Sequence, residues 1–299
     1  MRSPIVRDLY ISQQVAGDLP SLRVRTSFVA KSIRENKRIV YTKYGDGEVL
    51  CMKNTPGYNT DGDAFTPALG EHLKRSFIRL CDAAQNGTEN ILIGRWHYRP
   101  EVTYLASCYY DACVARSVVP ADIPFADYHL IHNDDSYMHE GDMFELVATI
   151  ARARQCKVVF TNQKNRRMCD IFRTTSFIEI PQQCWYQHYN QYFKLLQEYL
   201  TQHSESIVIF SAGMACKALI ADMFSQFPST SFLDFGSAFD LLCQGYRTRL
   251  WKHKYADDYN YYKKLLPHDW PTPTQVLFRK LFETPFPQVL RSLRNRILM

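Results

Sequence analysis

The feature that most restricts this chain is a regular alternation of short apolar runs with longer amphipathic stretches. Strand-like runs recur at Asn90–Gly94, Tyr128–His132, Lys157–Phe160, Ser176–Ile180, Ser206–Phe210 and Ser231–Phe235. Between most of them lie helical stretches at Glu101–Ser117, Glu140–Gln155, Gln187–Gln202 and Met214–Phe227. Consecutive strands separated by a helix's length of chain pair in parallel, because a parallel pair needs a long crossover. A parallel sheet in turn needs helices over both faces. The expected fold class is therefore α/β, Rossmann-like, with a mainly parallel sheet and helices on both faces. Upstream, Thr26–Glu35 reads as a helix, Arg38–Thr42 as a further strand and Asn54–Asp63 as a loop. Thr66-Pro67 then opens a helix that lines up Leu69, Leu73, Phe77 and Leu80 on one face. Three regions follow: an N-terminal arm over residues 1–22, the α/β domain over 23–250 and a C-terminal helical extension over 251–299.

The strand Arg38–Thr42 runs into Lys43-Tyr44-Gly45-Asp46-Gly47-Glu48, where two glycines alternate with two carboxylates. In a loop, Asp46 and Glu48 can turn both side chains to one cation, and the glycines leave space beside the backbone. Two hard oxygen ligands without a nearby His or Cys suit Mg²⁺ or Mn²⁺ better than zinc. A solvated turn is the competing reading, since Gly and Asp dominate turns. In doubly wound sheets, ligands collect at the carboxyl ends of the strands. Those ends carry Gly45 to Glu48, then Arg95, Trp96 and His97, then Asn133, Asp134 and Asp135, then Thr161, Asn162 and Gln163. Ser211 and Gly213 follow at a helix start, where backbone N–H groups favour phosphate, and Gly236, Ser237 and Asp240 close the series. Helix capping and turn duty compete for Asp134, Asp135, Asn162, Ser211 and Asp240.

Lys43 to Glu48 resembles the Arg-Phe-Gly-Asp-Gly-Glu signature of the GT-D-type glycosyltransferases, a family first catalogued as a domain of unknown function. Ile207 to Ala215 is similar to that family's strand, glycine turn and helix start. Phe232-Leu233-Asp234-Phe235-Gly236-Ser237-Ala238-Phe239-Asp240 is similar to its Asp-Ile-Gly segment with a trailing Asp. The matches bracket about residues 24 to 250; Lys43 stands where Arg is usual, and Ser-Ala-Gly where Leu-Gly-Pro is more common. The resemblance implies a GT-D-like fold and transfer of a sugar from a nucleotide-sugar donor, UDP-linked, to a glycan, glycoprotein or glycolipid hydroxyl. It implies that Asp46 and Glu48 hold Mn²⁺ or Mg²⁺ against the donor diphosphate. Lys43, Tyr44, Gly45, Asn162, Ser211, Gly213 and Ser237 are then the donor-binding set, and Asp134, Asp135 and Asp240 are candidates for the catalytic base.

Two other classes share these features: a metal-dependent phosphoesterase and a non-catalytic nucleotide- or glycan-binding module. The phosphoesterase calls for a second cluster of Asp or His ligands, and the sequence offers no convincing His-x-His or Asp-x-His pair. A net charge of +6 suits an anionic small molecule or a membrane surface as well as nucleic acid; no arginine-rich block argues for the last, so no nucleic-acid partner is expected. Nine cysteines without a C-x-x-C pair, and no secretory pattern at Met1-Arg2-Ser3-Pro4, give the expectation of a reduced, cytoplasmic protein. The basic, amphipathic segment Val276–Met299 adds the expectation of peripheral contact with an anionic membrane.

Overall fold

A computed structural model of the chain describes residues 9–11, 22–24, 26–59, 62–86, 90–95, 112–120, 125–127, 142–244 and 255–276. Its centre is one seven-stranded sheet in the order β5-β4-β3-β9-β8-β6-β7. The strands are β3 (Ile39–Lys43), β4 (Asn90–Arg95), β5 (Phe125–Asp127), β6 (Cys156–Asn162), β7 (Ser176–Ile180), β8 (Ser206–Ser211) and β9 (Ser231–Asp234). Each neighbouring pair is parallel. The expected α/β class and parallel sheet are what the chain adopts. All six residues of β8 are buried, as are all four of β9, so the central strands read as unbroken apolar runs instead of alternating ones. The first two strands, β1 (Leu9–Ile11) and β2 (Leu22–Val24), form a separate antiparallel pair, β1 in the stretch expected to be an arm and β2 across its boundary with the expected domain.

Helices cover both faces. On one, α1 (Thr26–Arg34) packs with α4 (Asp142–Arg152), which also meets α5 (Met168–Phe172). On the other, α2 (Asp46–Met52) and α7 (Ala215–Met223) pack against α3 (Pro67–Gln85), and the residues of α6 (Tyr189–Gln202) that reach the sheet, Leu196 and Leu200, join the same core. α3 shows why the sequence folds so locally. Thr66 Oγ1 accepts from Leu69 N at 3.2 Å and Pro67 occupies the first turn, while Leu69, Leu73, Phe77 and Leu80 turn inward.

Two segments depart from expectation. Asp46 to Glu48 is the first turn of helix α2, not a loop. Glu48 Oε2 accepts from Gly45 N at 2.8 Å, which supplies the N-terminal stop that the two glycines lack. A strand is described at Phe125–Asp127, while the expected strand at Tyr128–His132 lies, with residues 128–141, outside the described set. Asp134 and Asp135 fall there, as do Trp96, His97, Arg247, Arg249 and the tail beyond Val276.

The chain forms two compact units, Met1–Phe239 and Asp240–Met299. The second contains α8 (Asp240–Gln244) and α9 (Tyr255–Tyr262), with Tyr262, Leu265 and Trp270 buried. No helix among the described residues is long and apolar enough to cross a membrane.

On the α3 face, a polar pocket of about 700 Å³ is organised by Asp222. Its Oδ2 takes His72 Nε2 at 2.9 Å and Tyr189 Oη at 2.7 Å, and Arg79 stands 3.6 Å from Oδ1. Three helices are thereby tied to one carboxylate. Burial alone would raise the Asp222 pKa, but the hydrogen bonds from His72 and Tyr189 and the charges of His72 and Arg79 outweigh it and hold it low. A depressed carboxyl stabilises the fold above its ordinary value of about 3.9 and loses that contribution as pH falls through the folded value. Asp222→Asn should therefore lower stability by about 2 kcal/mol near neutral pH, a melting shift of about 4–8 °C. The gap from wild type should narrow below about pH 4 in thermal melts across a pH series.

Candidate functional site at the carboxyl ends of β3, β8 and β9

The late strand β9 inserts between β3 and β8, so residues far apart in sequence meet at one sheet edge. Tyr41 pairs with Leu233 and Ile209 with Leu233, which brings the ends of all three strands level. Lys43 ends β3 and is buried. Its Nζ lies 3.5 Å from the carbonyl of Phe235 and stands where a Cβ at Gly236 would come within 2.9 Å. Gly236 has φ +53°, so the turn leaving β9 needs glycine both for its backbone and for the lysine beside it.

Beneath that turn sits a buried ionic cluster. Lys217, on the inner face of α7, places Nζ 3.1 Å from Glu48 Oε1, 3.0 Å from Asp234 Oδ2 and 3.0 Å from the carbonyl of Gly213. Of these contacts the Gly213 carbonyl accepts a hydrogen bond, and Cys216 Sγ lies 3.6 Å from the same nitrogen. Lys217 is 4% exposed, Glu48 7% and Asp234 not at all, so each charge depends on the others. The Lys217–Asp234 contact is ionic, without the direction of a hydrogen bond, while Asp234 Oδ1 takes Gly236 N at 3.1 Å. Lys43 and Lys217 carry the charges that balance Glu48 and Asp234 in this stretch.

The loop that follows α2 folds back over the rim. Tyr58 bridges Ala64, and Asp63 is 7% exposed. Asp63 Oδ1 takes Cys184 N at 2.7 Å and its Oδ2 takes Asn59 Nδ2 at 3.2 Å. Asn59 also lies against Gly47, where an added Cβ would meet its Cβ at 3.4 Å. Gly213 has φ +62°, and an added Cβ there would stand 2.6 Å from Asp63 Oδ2. Gly213→Ala should consequently cost about 1–3 kcal/mol through backbone strain and displacement of Asp63. The expected results are a melting temperature lower by several degrees and faster proteolytic nicking within residues 54–63.

The sequence-derived residues are placed unequally. Gly45, Glu48, Lys43, Ser211 and Gly213 gather at this rim. Asp46 is exposed in the first turn of α2, and Ser237 is half-buried in the turn after Gly236. Tyr44 turns into the core instead, its ring edge-on to Phe77 at 5.0 Å and its hydroxyl buried without a hydrogen-bond partner. Burial drives the Tyr44 phenol well above its ordinary pKa. Asn162 caps a short turn by accepting from Lys164 N at 3.0 Å, and its neighbour Asn165 is the one that reaches Ser211 Oγ, at 3.1 Å. Asp240 opens α8 of the second unit. Sequence reasoning gave no site role to Lys217, Asp234, Asp63 or Asn165, although Asp234 lies in the segment that resembles Asp-Ile-Gly. A lysine inside the apolar run Ala215–Met223 was the available signal, because buried lysines are nearly always paired.

Asp46 and Glu48 do not fit a divalent ion in this arrangement. Residues two apart in a helical turn point away from each other. Both Glu48 oxygens are engaged, one by Gly45 N and one by Lys217. A dication on Glu48 would meet the Lys217 ammonium at close range, where each pair of unit charges about 4 Å apart repels by about 4 kcal/mol at an effective dielectric of about 20. Among the described residues no group of three or more His, Cys, Asp or Glu side chains converges as a metal site.

No protein-family profile matches the sequence, and no curated protein does. Solved structures do match in fold. One, described as having a distinct glycosyltransferase fold in the highly conserved domain of unknown function 1792, superimposes with a TM-score of 0.50 at 14% identity over 84% of this chain and 92% of its own. Another, described as a new glycosyltransferase of that domain from Streptococcus sanguinis, gives 0.51 at 12% identity over 84% of this chain and 96% of its own. The selenomethionine-substituted structure of the domain gives 0.51 at 14% identity, with 84% and 92% coverage. The chain has this glycosyltransferase fold, and the motif resemblance is borne out at that level.

Proposed function

We propose that this protein is a glycosyltransferase that takes a sugar from a nucleotide-sugar donor, UDP-linked, and places it on a hydroxyl of a glycan or glycoconjugate. The observation that carries the reading is the buried quartet Lys43, Glu48, Lys217 and Asp234 at the carboxyl ends of β3, β8 and β9, in a chain with a glycosyltransferase fold. Polar groups of this kind at strand ends are where α/β sheets bind nucleotide ligands. Burying four charges at one edge is costly even when they are paired, so their presence there in place of apolar residues supports a functional role.

The chemistry follows from the charges. Glycosyl transfer breaks the anomeric C–O bond as a nucleoside diphosphate departs with growing negative charge. Fixed positive charge near that leaving group stabilises the transition state more than the ground state. Lys43 and Lys217 hold their ammonium groups in place before the donor arrives, and the loop bearing Asn59 and Asp63 shields the rim from water. Asp46, exposed beside the quartet, is free to take a hydroxyl of the bound sugar nucleotide.

The test is to incubate the full chain with a panel of nucleotide sugars and measure released nucleoside diphosphate. One donor should be turned over above background, and Glu48→Gln should reduce that turnover by about a hundredfold or more. Asp46→Asn should also slow turnover while leaving the melting temperature within about 1 °C, since exposed substitutions change stability little. Release from none of the donors overturns the reading.

A further inference from the structure

We infer that Lys217 stands in this site as a built-in cation, so that the nucleoside diphosphate binds without a divalent metal ion. The inference rests on the nucleotide-sugar reading and goes beyond it. A metal at such a rim has one electrostatic task, to put positive charge between protein carboxylates and the diphosphate. Here that place is taken. Lys217 Nζ lies 3.1 Å from Glu48 and 3.0 Å from Asp234, and the carbonyl of Gly213 holds it at 3.0 Å. Lys43, buried at the end of β3, supplies a second ammonium next to the Gly236 turn. Against the buried carboxylates Glu48, Asp234 and Asp63, the two ammonium groups leave one net negative charge instead of three, so the arriving diphosphate meets a rim whose buried charge is largely offset. Asp46 is the remaining carboxylate of the motif, and it is exposed, where solvent and salt screen it.

An ammonium carried on a helix differs from a metal ion in a measurable way. A metal shared by protein and nucleotide couples the two binding events, each strengthening the other reciprocally. A lysine already seated produces no such coupling. Removing Lys217 should create it, because Glu48 and Asp234 would then repel the diphosphate and offer two vacant carboxylates to a dication.

The experiment is calorimetric titration of the full chain with UDP, GDP, ADP and CDP, in EDTA and again with Mn²⁺. The inference expects one of them to bind in EDTA with an affinity that Mn²⁺ changes by less than about threefold, the mark of negligible coupling. Lys217→Met should bind the same nucleotide about tenfold or more weakly in EDTA and recover with Mn²⁺. Lys217→Met combined with Glu48→Gln, which removes one charge of each sign, should not gain that dependence. Binding by the wild-type chain only when Mn²⁺ is present overturns the inference and leaves the nucleotide-sugar reading standing. Binding of no nucleotide under either condition overturns both. The wild-type comparison decides the matter even if a variant fails to fold. Electron paramagnetic titration of Mn²⁺ into the wild-type chain without nucleotide gives a second readout. The spectrum of free Mn²⁺ is expected, and a tightly bound ion would refute the assignment.

Discussion

A buried lysine shared by two carboxylates is the constraint on which the rest of this edge depends. Lys217 joins the first turn of α2 through Glu48, the end of β9 through Asp234 and the start of its own helix through Gly213. Each of the three groups would be expensive to bury alone, and removing one partner from such a cluster strands the others at a cost of about 3–5 kcal/mol. The cluster therefore fixes where α2 begins relative to the sheet. With Glu48 held by Lys217 on one oxygen and capping Gly45 with the other, the Gly-Asp-Gly-Glu segment is a helix start and not a mobile loop.

The turn between β8 and α7 is fastened in the same spirit. Three successive carbonyls are each taken by a side chain from a different element. Thr161 Oγ1 donates to Ser211 at 2.7 Å, Trp185 Nε1 to Ala212 at 2.7 Å, and Lys217 Nζ to Gly213 at 3.0 Å. Asn165 adds a bond to the Ser211 hydroxyl, and Asp63 closes over Gly213. Turns at functional edges are usually adaptable; this one has its acceptors committed before any ligand arrives. Such preorganisation is what electrostatic catalysis requires, because dipoles already oriented need not be rearranged as charge develops.

The sequence made the fold legible because buried parallel strands are written as continuous apolar runs. Ser176–Ile180 was delimited to the residue, and Ser206–Phe210 fell one residue short of β8. The α2 turn was misread for a local reason: Gly45 and Gly47 argue for a loop by propensity, while the stabilising contact comes from Lys217, much later in the chain. The site was legible in part for the same reason. Glu48 was marked by its spacing from Asp46, yet nothing local shows that its partner is an ammonium instead of a metal. Asp234 looked like the end of a strand, and only the insertion of β9 between β3 and β8 gives it Lys217 and Gly236 as neighbours. Tyr44 sat in the motif but faces Phe77, because side chains alternate along a strand's exit and the next position after Lys43 returns to the core.

The choice between a tethered and a diffusible cation also bears on how product leaves. A metal bound jointly by protein and nucleoside diphosphate holds the product with the same charge that stabilised its formation, so release is slowed by the coupling that aided chemistry. Lys217 is seated by its ion pairs with Glu48 and Asp234 and by the Gly213 carbonyl, all supplied by the chain itself. Under the proposed reading its field would act on a bound diphosphate without a direct bond forming and breaking at each turnover. The stabilisation such a group gives is smaller than a dication's at the same distance, because the Coulomb term scales with charge. A second buried ammonium, Lys43, offsets that deficit from the neighbouring strand, and Gly236 is the residue that gives it room. An edge built this way trades peak electrostatic strength for a site whose charge is set by the fold.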